Sequence, residues 1–157
     1  MRGTIVCGVT DSDEGRGALA VAAELSGRLG LRLVLAHVVD GIAPLTVSGE
    51  GSESVTMRAD REEAARFVAR MAAEHGVAGS AEQRSAVGDP AALLGQIAAE
   101  EAADLIVVGS RARGRLRRGL ESRLARQLET ATPVPVLIAP PRTRRAGKAA
   151  SLPPNRR

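Results

Sequence analysis

Thr4-Ile-Val-Cys-Gly-Val9, then Thr10-Asp11-Ser12-Asp13, then Ala18, Ala22, Leu25 and Leu29 at helical spacing up to Gly30: this stretch decides the fold. Its first six residues form a nearly unbroken apolar run, the pattern of a strand covered on both faces in a parallel sheet. The polar cluster after it is a turn. The spaced apolar residues make one buried helical face, which starts at a cap on Ser12 or Asp13 and is stopped by Gly30. The unit is strand, turn, helix.

Working outward, the unit recurs. Leu31 to Val39 reads as a second strand, and a Gly/Ser-rich loop runs from Asp40 to about Ser54. A helix from about Val55 to Glu74 puts Ala64, Phe67, Val68 and Met71 on one face. Ala81 to Val87 reads as a third strand, and its Glu82, Gln83 and Arg84 suit a sheet edge. Gly88-Asp89-Pro90 opens the next helix with Asp at the cap and Pro at the first helical position; Leu93, Leu94, Ile97 and Ala98 are its inward residues. Asp104 to Val108 is the fourth strand and runs into Gly109 and an arginine-rich loop. A last helix turns Leu124, Leu128 and Ala131 inward, and Val134 to Ala139 is the fifth strand, ended by Pro140-Pro141.

Alternating strands and helices with right-handed crossovers predict an α/β fold: a single doubly wound domain, with a five-stranded parallel sheet of order 3-2-1-4-5 and helices on both faces. In such sheets ligands bind at the carboxyl ends of the strands where the winding reverses. Here that point lies between the first and fourth strands.

Composition narrows the function. The 157 residues allow one domain, read as residues 1–140, plus a tail over 141–157. The formal charge of +4 is unevenly placed, because Arg142, Arg144, Arg145, Lys148, Arg156 and Arg157 stand at the end with no acid among them. Without those six, 16 basic residues face 18 acidic ones, a net of −2, so the domain is not a general polyanion binder. The tail lacks apolar periodicity and reads as disordered. Phe67 is the sole aromatic residue, which removes the stacking platforms on which single-stranded nucleic acid lies, and no specific nucleic-acid partner is expected. No apolar run is long enough to span a bilayer and no secretory segment precedes Thr4, so a cytoplasmic protein without membrane association is expected. With Cys7 alone and only His37 and His75, neither an internal disulfide nor a Cys/His zinc site is expected.

The candidate site follows from the sheet order: Val9-Thr10-Asp11-Ser12 faces Gly109-Ser110-Arg111-Ala112-Arg113. Glycine after a strand permits close backbone approach, and loop amides with a following helix N-terminus suit phosphate. The bland alternative is a plain strand-to-loop glycine. Arg111 and Arg113, with Arg115, Arg117 and Arg118, form either a solvated loop or an anion cradle. Ser12, Ser110, Ser122 and the two histidines have no spacing that implies a catalytic triad, and His37 reads as a packed or hydrogen-bonded residue.

Ile5-Val-Cys-Gly-Val9 with Ser12 and Ala18-Leu19, Ala36-His37-Val38-Val39, Gly88-Asp89-Pro90, Ala103-Asp-Leu-Ile-Val-Val-Gly-Ser110 and Pro135-Val-Leu-Ile138, in this order and spacing, resemble the universal stress protein family over about residues 3–139. The resemblance implies a stress-response binding module that is not an enzyme, slow ATPase activity remaining open. It also implies ATP or another adenine nucleotide at the first/fourth-strand crevice, and a homodimer through the fifth strand. The set it marks as cofactor-binding is Val9, Thr10, Asp11, Val38, Gly109, Arg111, Ala112, Arg113, Ser122 and Arg123. The nucleotide-binding branch carries Gly-x2-Gly-x9-Gly-Ser/Thr after the fourth strand; this chain has Gly109, then Ala112, then Ser122-Arg123. The family Asp after the first strand falls on Thr10, with Asp11 one position later. The alternative is a dimeric interaction protein of the same fold that binds no nucleotide.

Overall fold

The computed structural model describes residues 3–40, 55–110 and 123–142. In chain order these form β1 (Thr4–Gly8), α1 (Asp13–Leu29), β2 (Arg32–Asp40), α2 (Val55–Glu74), β3 (Ala81–Gly88), α3 (Pro90–Glu100), β4 (Leu105–Gly109), α4 (Arg123–Ala131) and β5 (Val136–Ala139). The strands make one sheet of order β3-β2-β1-β4-β5, and every pairing is parallel. The α/β fold and the strand order are those expected from the sequence.

Strand periodicity divides the core in two. Ile5, Cys7 and Val9 of the first strand and its exit, with Leu33 and Leu35 of β2, point to the face covered by α1 and α2, where Ala18, Leu19, Ala22, Phe67, Val68 and Met71 meet them. Val6, Val34, Ala36, Ile106 and Val108 point the other way, onto Ala91, Leu94, Ile97 and Ala98 of α3 and Leu128 of α4. Cys7 is fully buried, and burial pushes its thiol up to about 12, so it is a packing residue and not a nucleophile at neutral pH.

The helix ends follow the local sequence. The Ser12 hydroxyl accepts from the Gly15 amide at 3.0 Å, and Gly30 closes α1 at φ 65° with its amide on the Ser26 carbonyl. Asp89 caps α3 by accepting from the Ala92 amide at 2.8 Å, with Pro90 directly after it. At the opposite end of the sheet the nearly buried Glu101 carboxylate accepts from both Arg32 and Arg84, tying β2 and β3 to the end of α3. The Arg32 guanidinium is held further toward its charged form by hydrogen bonds to Glu82 and Glu101.

Three sequence expectations differ in detail. Leu29, expected inward, is 64% exposed, because the chain turns back at Gly30 and Leu31 packs on the core instead. Ala131 is exposed while Ala125 of α4 is buried. The fifth strand spans Val136–Ala139 and not Val134–Ala139: Pro133 and Pro135 have no amide for the ladder, and pairing starts with the Pro135 carbonyl accepting from the Ile106 amide at 2.9 Å.

Candidate functional site at the β1/β4 crevice

The sheet reverses between β1 and β4, where Ile5, Val6 and Cys7 lie opposite Leu105, Ile106 and Val107. The first turn of α1 is wedged at the carboxyl ends of these two strands. A Cβ on Gly15 would lie 2.3 Å from the Thr10 carbonyl oxygen, and one on Gly109 would lie 2.4 Å from that of Glu14. Both glycines are therefore needed so that α1 can start against the strand ends. Gly109, singled out in the sequence as a place for close ligand approach, has a packing reason of its own that holds with or without a ligand.

Val9 is buried, and its amide donates to the Ala36 carbonyl at 2.8 Å. Its carbonyl receives a hydrogen bond from His37 Nδ1 at 2.7 Å. Since a carbonyl only accepts, Nδ1 carries the proton. The imidazole also packs on Phe67, with ring centroids 4.4 Å apart. His37 thus fixes the ends of β1 and β2 relative to each other, in agreement with its reading as a packed histidine.

Beyond Val9 the chain comes to the surface. Thr10 and Asp11 are exposed, and the Thr10 hydroxyl lies 2.9 Å from that of Ser12. The Asp11 carboxylate, 65% exposed, pairs with Arg16 at 3.1 Å. Arg16 also donates to Met71 Sδ at 3.5 Å, which anchors it on α2. Val38 is partly buried and packs on the α3/α4 side. Across the crevice the Ser110 amide donates to the Ala139 carbonyl at 2.9 Å. Arg123 is exposed at the start of α4. Arg111, Ala112, Arg113 and Ser122 lie outside the described residues, as does the basic stretch 143–157.

This donor set fits a nucleoside better than a phosphate on the β1 side. A hydroxyl at Thr10 and a carboxylate at Asp11 can meet sugar hydroxyls or amino groups of a base. The α1 N-terminus is unsuited to an anion, because Asp13 and Glu14 occupy its first turn and Ser12 already takes one of its free amides. Among the described residues no group of three or more His, Cys, Asp or Glu side chains is placed to hold a metal ion, and no helix there is long and apolar enough to cross a membrane.

A five-stranded parallel sheet whose winding reverses between β1 and β4 defines a doubly wound α/β domain. The profile described as the universal stress protein family matches residues 1–140, and the chain belongs to that family. No curated protein sequence matches it. Among solved structures, it is similar to a universal stress protein family member from Burkholderia pseudomallei, at 27% identity and TM-score 0.65, over 88% of this chain and 96% of that one. A universal stress protein in complex with cAMP aligns at 22% identity and TM-score 0.67, over 87% and 96% of the two chains. The universal stress protein from Archaeoglobus fulgidus in complex with dAMP aligns at 20% identity and TM-score 0.57, over 88% and 98%.

Proposed function

We propose that this chain is a ligand-responsive binding module that takes an adenine nucleotide, ATP, ADP or AMP, in the β1/β4 crevice, and that it has no catalytic role of its own. The observation that carries the reading is the exposed pair Thr10 and Asp11 at the switch point of the sheet, across from Ser110; the sequence that follows Ser110 is rich in arginine. The complexes of two relatives with cAMP and dAMP support the ligand class. In this reading Thr10, Asp11 and Val38 line the nucleoside end, and Arg111 and Arg113 neutralise the phosphates.

The departures from the family motif weaken the phosphate end. Ala112 places a methyl where a glycine allows close approach, and Arg123 replaces a hydroxyl residue. The triple reversion Ala112→Gly, Ser122→Gly, Arg123→Ser should raise ATP affinity about tenfold, the equivalent of one charge-assisted hydrogen bond. Isothermal titration of both proteins measures it. Unchanged affinity in a folded revertant would remove this stretch from the site.

A second reading, an interaction protein of the same fold, is favoured by a separate feature. Leu137 and Ile138, 37% and 40% exposed, stand on β5, an edge strand of the sheet among the described residues. A homodimer pairing this edge with its copy covers them and is compatible with either reading.

A further inference from the structure

Between α2 and the ends of β1 and β2 lies an open groove, apart from the β1/β4 crevice, whose lining includes Asp11, His37, Asp60, Glu63, Phe67 and Arg70. Its floor is the tilted pair of His37 and Phe67. Arg70 stands 5.4 Å from the Phe67 centroid, so a guanidinium already rests on this ring. The rim is acidic. Asp11 is paired with Arg16 and Glu62 with Arg66, whereas Asp60 and Glu63 are exposed and have no basic partner among the described residues. Asp13 and Glu14 continue the negative surface along the first turn of α1.

The chain itself carries the complementary charge. Its last described residue, Arg142, donates its amide to the Asp13 carbonyl at 3.1 Å, two residues from the groove's Asp11. Beyond it come Arg144, Arg145, Lys148, Arg156 and Arg157 and no acid. At about 3.3 Å per extended residue, residues 143–157 reach up to roughly 50 Å, ample to arrive at α2. Tethering gives such a segment an effective concentration in the millimolar range, so weak individual contacts suffice.

We infer that the basic C-terminal stretch binds the α2 groove of its own chain, placing an arginine guanidinium between Asp60 and Glu63. An arginine suits this site because its planar fork of N–H groups can meet both carboxylates. The contact is electrostatic at an exposed rim and weakens with salt. The groove shares Asp11 with the proposed nucleotide site, but the contact with the tail requires no nucleotide.

Limited trypsin digestion of the full-length protein tests it, following cleavage after Arg144, Arg145 and Lys148 against a synthetic peptide of residues 141–157 under the same conditions. At about 20 mM salt, where the Debye length exceeds roughly 20 Å, cleavage in the protein should be at least about fivefold slower than in the peptide, since proteolysis tracks the open population. The difference should vanish at about 0.5 M salt and also in the Asp60→Asn, Glu63→Gln double variant, whose changes lie on the exposed face of α2. If the double variant fails to fold, Glu63→Gln alone serves, with a smaller shift in the same direction. Cleavage as fast as in the peptide at low salt would overturn the inference. So would protection that survives the groove substitutions, or protection that grows with protein concentration, which would place the tail on a second copy.

Discussion

Gly109 shows how far a single residue can be read. Its position after an apolar strand was legible in the sequence, but its reason was not, because the atom that forbids a side chain there is the Glu14 carbonyl oxygen, 95 positions away in the chain. Only the tertiary fold brings the start of α1 to the end of β4. Gly109→Ala should destabilise the protein by about 1–3 kcal/mol through overpacking against backbone, measured by urea unfolding. A loss below about 0.5 kcal/mol would show that α1 can shift without cost. Cys7 makes a second prediction at this scale. Its thiol titrates near its ordinary value of 9.0 in the unfolded chain and at about 12 in the folded one. A raised folded value means the stability is fully present below pH 9 and is lost as the pH rises from 9 toward 12, at about 1.4 kcal/mol per pH unit. The chain has no tyrosine, and Lys148 is its one lysine, so few other groups titrate there. Unfolding free energies should change little from pH 8 to 9 and fall with about this slope from 9 to 11 in the wild type, and stay nearly flat throughout in Cys7→Ala. Parallel curves for the two proteins would contradict it.

At the scale of elements, local chemistry carried most of the information. Ser12, Gly30, Asp89 and Pro90 act at the helix ends where their side chains and backbone preferences place them, so α1 and α3 were legible from sequence. What failed to show were the consequences of neighbours: Leu29 keeps its helical spacing but has no partner at that level, and β5 is shortened because its first residues follow two prolines. Among the described residues the short β5 still exposes Leu137 and Ile138 on an unpaired edge, and such edges are covered or paired in native proteins. Sedimentation should give a dimer at micromolar concentration, and Ile138→Lys should shift it to monomer. A monomeric wild type would remove the edge strand from any self-interface.

For the whole molecule, the strand order β3-β2-β1-β4-β5 was legible because alternation of apolar runs and helices leaves few right-handed windings of five strands. The position of the crevice followed from that order. Its chemistry was less legible: Asp11 is engaged with Arg16, and the α1 N-terminus, where a helix would otherwise favour an anion, carries Asp13 and Glu14. The central claim is that this crevice nonetheless takes an adenine nucleotide. Isothermal titration of the full-length protein with ATP, ADP, AMP and cyclic AMP, with GTP as control, tests it most directly. The account predicts saturable binding of one nucleotide per chain for at least one adenine ligand, in the micromolar range of about −8 kcal/mol, weakened at least about tenfold by Asp11→Ala and absent with GTP. No heat of binding with any adenine nucleotide at millimolar concentration, from a protein that unfolds cooperatively, would contradict it and leave the interaction reading in its place.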